Sequence, residues 1–84
     1  MPKIVLYTKD HCPYCDMAKT LLSAKQLTYT EIRIDLDESK RDEMIRLSNR
    51  RTVPQIFIND QPIGGYDDLA ALAKSGKLNE LIKP

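Results

Sequence analysis

An unbroken apolar run, from Ile4 to Tyr7, stands near the start of the sequence. Apolar residues at consecutive positions, without alternation, are typical of a strand that is buried on both faces, and such strands lie in the middle of a sheet. The chain has 84 residues, which is enough for one hydrophobic core but too few for two. We therefore expect a single domain, residues 1–84, in which packed layers surround this strand.

The residues that follow predict a helix and then a second strand. Pro13 suits the first helical position, where its missing N–H costs nothing, and the helix is expected to end near Lys25. Its predicted apolar stripe consists of Tyr14, Ala18, Leu21 and Leu22. Residues 29–35 place charged side chains at every second position, as in a half-exposed edge strand. Since a helix separates this strand from the first, the two are expected to be parallel with a right-handed crossover.

A second helix is expected after a cap at Asp37 or Ser39, with Asn49 as its C-terminal stop. Its apolar residues are Met44, Ile45 and Leu47. Two short strands, residues 55–58 and 61–63, then flank an Asn-Asp turn of the kind found in hairpins.

The last third of the chain predicts an outer strand and a third helix. Pro62 argues that the later hairpin strand is the outer one, because proline cannot donate to a strand ladder. The glycines at 64–65 break the strand pattern before a helix that is expected to start at Asp67 and Asp68 and to stop at Gly76. A short helical turn with Leu78, Leu81 and Ile82 follows. The predicted order is β-α-β-α-β-β-α, an α/β fold.

Charge and hydropathy exclude several classes of partner. The sequence has 13 Lys and Arg residues and 12 Asp and Glu residues. The net charge is therefore too small to attract nucleic acid or an anionic membrane. The longest apolar run is far shorter than the roughly 20 residues that span a bilayer, and the N-terminus lacks a signal-peptide pattern. We expect a cytoplasmic protein with no nucleic-acid or membrane partner.

The two cysteines, Cys12 and Cys15, are compatible with half a zinc site, inert core thiols or a redox pair. A structural zinc needs four ligands, and His11 is the one further imidazole or thiol in the sequence, so a Cys/His site would need a second chain. We therefore predict no metal. A Cys-x-x-Cys at the start of a helix after a central strand favours the redox pair over inert thiols. A bridge between residues so close together closes too short a loop to be a structural staple.

The helix is expected to make the two thiols unequal. Cys12 at the N-cap receives the positive potential and free N–H groups of the helix N-terminus, which lower a thiol pKa from its ordinary value of about 8.5. Lys9 is a nearby cation that would act in the same direction. Cys15, one turn inside the helix, is expected to be more buried. We predict Cys12 as the nucleophile and Cys15 as the resolving thiol.

Along essentially its whole length the sequence resembles the bacterial class I dithiol glutaredoxins. Three blocks carry the resemblance: Tyr7-Thr8-Lys9 leading into Cys12-Pro13-Tyr14-Cys15, then residues 52–58 (Thr-Val-Pro-Gln-Ile-Phe-Ile), then residues 64–68 (Gly-Gly-Tyr-Asp-Asp). The resemblance implies the thioredoxin fold, a four-stranded mixed β-sheet flanked by helices. It also implies a cis bond before Pro54, which would present the backbone of Val53 beside Cys12 for strand-like pairing with glutathione.

The resemblance further implies a glutathione groove. Lys9 and Arg41 would bind the glycine carboxylate, with Arg51 as a substitute for Arg41. The remaining residues would flank the tripeptide, hold its cysteine segment, or bind its γ-glutamyl end through a helix N-terminus and the Asp68 carboxylate; they are Tyr14, Thr52, Val53, Pro54, Gly65, Tyr66, Asp67 and Asp68. Tyr66 stands where relatives often have Cys or Ser.

By the same resemblance, the expected function is reduction of protein–glutathione mixed disulfides and of protein disulfides such as that of ribonucleotide reductase. Glutathione would be a co-substrate, glutathione reductase an indirect partner, and the chain a monomer with no tightly bound cofactor. Two other functions stay open. One is a redoxin supplied by thioredoxin reductase, against which the groove and the Pro-Tyr dipeptide argue. The other is a [2Fe–2S] carrier, whose dedicated relatives usually have Cys-Gly-Phe-Ser.

Overall fold

The computed structural model describes residues 2–83. Within that range the elements follow the predicted order, with a fourth helix where a short helical turn was expected. The strands are β1 (Ile4–Thr8), β2 (Thr30–Arg33), β3 (Gln55–Ile58) and β4 (Gln61–Gly64). The helices are α1 (Pro13–Ala24), α2 (Glu38–Ser48), α3 (Tyr66–Ser75) and α4 (Lys77–Ile82).

The four strands form one mixed sheet in the order β2-β1-β3-β4. Strand β1 pairs in parallel with β2 and antiparallel with β3, and β3 pairs antiparallel with β4. The central position of β1 and the edge positions of β2 and β4 are as predicted. This is the thioredoxin architecture that the resemblance implies.

Helices cover both faces of β1 and β3, because successive side chains of a strand point to opposite sides. One core cluster consists of Ile4, Leu6, Ala18, Leu22, Ile56, Ile58, Leu69 and Leu78, contributed by the sheet and by α1, α3 and α4. The other consists of Tyr7, Ile34, Met44 and Phe57, and it lies on the side of α2. The chain thus has the two-sided burial that the apolar run in β1 predicts.

Two residues assigned to apolar stripes are not buried. Tyr14 is 58% exposed, and it stacks on Tyr66 rather than on the sheet. Leu47 of α2 is 48% exposed, at the margin of a hollow over the sheet that Val5 and Ile32 also line. Both positions have the correct helical spacing, but spacing alone does not show which residues of a stripe the rest of the fold covers. The apolar character of these two positions therefore did not lead to burial.

Element boundaries differ from the predictions by a few residues. Strand β2 is limited to residues 30–33. Helix α3 begins at Tyr66 instead of Asp67, because the extended backbone of Gly65 serves as the N-cap. Asp68 is then the third helical residue, and its carboxylate accepts the Gly65 N–H at 3.0 Å, which is half of a capping box.

Polar contacts fasten β1 to its neighbours just before the cysteine loop. The Thr8 hydroxyl donates to Glu31 at 2.6 Å, and Lys19 of α1 lies 2.7 Å from the same carboxylate. Both contacts lower the pKa of Glu31, and the contact with Lys19 has the larger effect. On the other face, the Tyr7 hydroxyl donates to Glu43 of α2 at 2.7 Å, and burial together with this bond raises the Tyr7 pKa. The end of β1 is therefore held from both sides.

No helix within residues 2–83 is long and apolar enough to cross a membrane.

Candidate redox site and adjoining cleft

Cys12 and Cys15 form a disulfide at the start of α1, with 5.2 Å between their Cα atoms. Cys12 is the N-cap in an extended conformation, Pro13 is the first helical residue, and the Cys15 N–H donates to Cys12 Sγ at 3.2 Å. The predicted N-cap position of Cys12 is confirmed. It arises because proline is tolerated at the first helical position and the cap sulfur satisfies a free N–H.

The two sulfurs differ in access and in environment. Cys12 is 8% exposed and Cys15 is 1% exposed. An incoming thiolate or disulfide therefore reaches Cys12 more readily than Cys15. A negative charge on Cys12 Sγ would lie at the positive end of α1 and keep the N–H of Cys15 as a donor. This arrangement favours attack at or by Cys12.

The loop between β1 and α1 is anchored to the segment that follows β2. The Asp10 N–H donates to Asp35 at 3.2 Å, and Arg33 forms two hydrogen bonds with the same carboxylate, which lower the Asp35 pKa. His11 adopts a left-handed conformation with φ 53°, and its side chain is 93% exposed beside Asp10. It is a solvated neighbour of Cys12, as its loop position suggests.

A cleft of about 220 Å³ lies beside the first turn of α1. Its walls come from that turn, from the loop before β3 and from the start of α3, which are far apart in the sequence. The lining residues are Tyr14, Arg50, Thr52, Val53, Pro54, Gln55, Gly65, Tyr66, Asp67 and Asp68. The structure thus brings together every residue assigned to the glutathione groove except Lys9 and Arg41.

Lys9 and Arg41 do not line this cleft. Lys9 is exposed in the loop before Cys12, and Arg41 is exposed on α2. Arg51, named as a substitute for Arg41, is exposed and also outside the lining. Binding of a glycine carboxylate by Lys9 and Arg41 stays a prediction.

The backbone at Val53 offers unpaired hydrogen-bonding groups to the cleft. The Val53–Pro54 bond is cis, as the resemblance implies. Neither the N–H nor the C=O of Val53 has a partner among residues 2–83. An extended peptide pairs like a strand with a free N–H donor and a free C=O acceptor of the same residue, and Val53 has both at the wall of the cleft.

Two lining residues, Gln55 and Arg50, were missed by the sequence reasoning. Gln55 is buried at the start of β3, and its amide donates to the Thr52 carbonyl at 3.0 Å, which fixes the loop that carries Val53. Arg50 lies 3.2 Å from the Asp68 carboxylate. A polar residue at the first position of an otherwise apolar buried strand was an available signal for Gln55. No signal distinguished Arg50 from the other surface arginines.

Tyr14 and Tyr66 form an aromatic rim at the cleft, with ring centroids 6.1 Å apart and a tilt of 35°. The separation is within the range of favourable aromatic pairs. Tyr66 also lines a second, mostly apolar groove along α1 with Met17 and Leu21. The tyrosine at position 66 therefore contributes to two surfaces, whereas a Cys or Ser would leave the rim to Tyr14 alone.

Asp68 and Gly64 are in such close contact that a Cβ at position 64 would displace the Asp68 side chain. Gly64 has φ 118°, and a Cβ built on it would lie 2.8 Å from Cγ of Asp68 and closer still to the carboxylate. The glycine therefore allows Asp68 to cap Gly65 at the edge of the cleft.

Gly64→Ala is expected to lower the free energy of unfolding by about 2–3 kcal/mol, because the substitution combines a strained φ with a clash against Asp68. Gly76→Ala is the matched control. Gly76 also has a positive φ, 83°, but open space around its Cβ position, so about 1 kcal/mol is expected there. Urea unfolding of both variants measures the difference. Equal losses would contradict the close packing of Asp68 on Gly64.

Comparison with known proteins agrees with these features. A sequence model of the Glutaredoxin family matches residues 4–63. Glutaredoxin 3 of Escherichia coli strain K12 is 53% identical over 83 residues, which cover 99% of this chain and 100% of that protein. Glutaredoxin of Pseudomonas aeruginosa is 45% identical over 82 residues, 98% of each chain.

Solved structures have the same fold. The buckwheat glutaredoxin–glutathione complex is similar with a TM-score of 0.88 and 27% identity, over 96% of this chain and 76% of that one. Glutaredoxin from Brucella melitensis has a TM-score of 0.84 and 44% identity, over 96% of this chain and 88% of that one.

Proposed function

Because the chain belongs to the glutaredoxin family and is a thiol–disulfide oxidoreductase, we propose that glutathione is its reductant and that Cys12 is its nucleophile. Its substrates are protein–glutathione mixed disulfides and protein disulfides. The observation that carries the proposal is the cleft, which joins the first turn of α1 to the unpaired backbone of Val53 and to the start of α3.

In the first reaction, the Cys12 thiolate attacks the glutathionyl sulfur of a mixed disulfide. A Cys12–glutathione disulfide forms, the sulfur–sulfur bond between glutathione and the substrate protein breaks, and the protein thiolate leaves and takes up a proton. A second glutathione thiolate then attacks the glutathionyl sulfur on Cys12. Glutathione disulfide forms and the Cys12 thiolate returns, so each cycle consumes one glutathione from solution and takes the other half of the glutathione disulfide from the substrate.

A protein disulfide takes a second route, which requires both cysteines. Cys12 attacks one sulfur of the substrate, and Cys15 then attacks Cys12, so the reduced substrate leaves and the Cys12–Cys15 disulfide remains. Two glutathione molecules reduce that disulfide. The disulfide of ribonucleotide reductase is a substrate of this kind, and the cytoplasm, where glutathione is kept reduced, is the compartment we propose.

The cleft has groups that suit the cysteine segment and the γ-glutamyl end of glutathione, whereas the cations proposed for the glycine carboxylate lie outside its lining. Val53 supports pairing with the cysteine segment through its free N–H and C=O. The N-terminus of α3 and Asp68 suit the carboxylate and ammonium of the γ-glutamyl end. Lys9 and Arg41 are the cations proposed for the glycine carboxylate. The buckwheat glutaredoxin–glutathione complex, which has the same fold, supports glutathione as the ligand.

A coupled assay tests the proposal. The reduced protein is given the mixed disulfide of glutathione and 2-mercaptoethanol, and NADPH consumption is followed with glutathione plus glutathione reductase or with thioredoxin reductase alone. Turnover is expected only with glutathione. Turnover with thioredoxin reductase and none with glutathione would instead identify a redoxin that thioredoxin reductase reduces.

A further inference from the structure

Arg50 and Asp68 form an ion pair in the wall of the cleft. Arg50 belongs to the loop between α2 and β3, and its Nη1 lies 3.2 Å from Oδ2 of Asp68 on α3. The two side chains are 53% and 48% exposed, so both remain open to a molecule that enters the cleft. The pair joins two separate segments of the cleft wall.

The contacts of Asp68 converge on one of its two oxygens. Oδ2 accepts from Arg50 and from the Gly65 N–H, whereas Oδ1 has no partner among residues 2–83. The guanidinium of Arg50 is engaged through Nη1, and its other N–H groups have no partner in the same range. An open acceptor and open donors therefore lie next to each other.

An α-amino-acid group has the complementary arrangement, because its ammonium and carboxylate are attached to the same carbon. We propose that Arg50 binds the α-carboxylate of the γ-glutamyl end of glutathione while Asp68 binds its ammonium. The ligand adds contacts to Oδ1 and to the unused guanidinium N–H groups without breaking the ion pair. This inference rests on the proposed function and adds Arg50 to the binding residues for that substrate.

Arg50→Gln tests the role of the guanidinium charge, and Arg46→Gln is the matched control. Arg46 is an exposed arginine on α2 that does not line the cleft. Arg50→Lys keeps the charge but loses the forked donor geometry, so an intermediate effect is expected. Each variant is compared with the wild type in single turnovers of reduced protein, which report only the first thiol–disulfide exchange.

Two mixed disulfides separate the carboxylate from the rest of the ligand. One contains glutathione and the other contains γ-aminobutyryl-cysteinyl-glycine, which lacks only the α-carboxylate. Arg50→Gln is expected to slow the reaction with the glutathione substrate about fivefold, the size of an exposed charge pair, and to change the reaction with the analogue less than about twofold. Arg46→Gln is expected to change neither rate.

Three results would overturn the inference: equal slowing with both substrates, no slowing with either, or a faster reaction of Arg50→Gln with glutathione. The last would show that Arg50 competes with the ligand for Asp68. Failure of the proposed function has a different signature, because the wild type itself would then not turn over glutathione mixed disulfides in the coupled assay.

Discussion

Cys12→Ser is expected to abolish reduction of both glutathione mixed disulfides and protein disulfides, with rate losses on the order of 10³-fold or more, because a serine hydroxyl is a poor nucleophile at neutral pH. Both proposed routes begin with attack by this sulfur. The sulfur of Cys12 is at the helix N-cap and is the more exposed of the two. The measurement is NADPH consumption in the glutathione-coupled assay with each substrate type.

A folding control is needed for this variant, because Cys12 also accepts a hydrogen bond from the Cys15 N–H. Serine is itself a favoured N-cap residue, so the free energy of unfolding of the reduced protein is expected to stay within about 1 kcal/mol of the wild type. A folded Cys12→Ser variant that still removes glutathione from a mixed disulfide would refute the assignment of the nucleophile.

The fold could be predicted well from the sequence because its determinants are local. The apolar run in β1 requires a central strand, Pro13 sets the start of α1, and Pro62 keeps β4 at the edge. Asn49 and Gly76 stop their helices in the left-handed conformation, as expected. The prolines, Asn49 and Gly76 act through their own backbone conformation, and the run in β1 is recognisable because its apolar residues are consecutive.

The cleft was less predictable because its walls meet only after folding. The resemblance placed Tyr14, Val53 and Asp68 in one groove, and they do line one cleft. Helical spacing placed Tyr14 in the apolar stripe of α1, but the residue is exposed, since periodicity does not reveal which residues of a stripe the fold covers. Arg50 was missed because its distance to Asp68 depends on how the loop before β3 approaches α3.

Cys15→Ser is expected to separate the two proposed reactions. Reduction of glutathione mixed disulfides is expected to remain within about threefold of the wild type, because that cycle uses only Cys12 and one glutathione from solution. Reduction of a protein disulfide, such as that of oxidised ribonucleotide reductase, is expected to fall on the order of 10²-fold or more. Glutathione from solution must then replace a resolving thiol held one helical turn away, and an intramolecular thiol has a far higher effective concentration.

The trapped intermediate gives a second readout of the same variant. Without Cys15, the mixed disulfide between Cys12 and the protein substrate is expected to accumulate and to be visible by non-reducing electrophoresis or mass spectrometry. Cys15 is 1% exposed, so a thiol from solution does not reach Cys12 from the position that Cys15 occupies. In the wild type, the Cys15 sulfur is already within bonding distance of the Cys12 sulfur. Equal loss of both activities in a folded Cys15→Ser protein would show that the Cys15 thiol has a role besides resolving the mixed disulfide between Cys12 and the substrate. Equal retention of both would show that glutathione alone completes the protein-disulfide reaction.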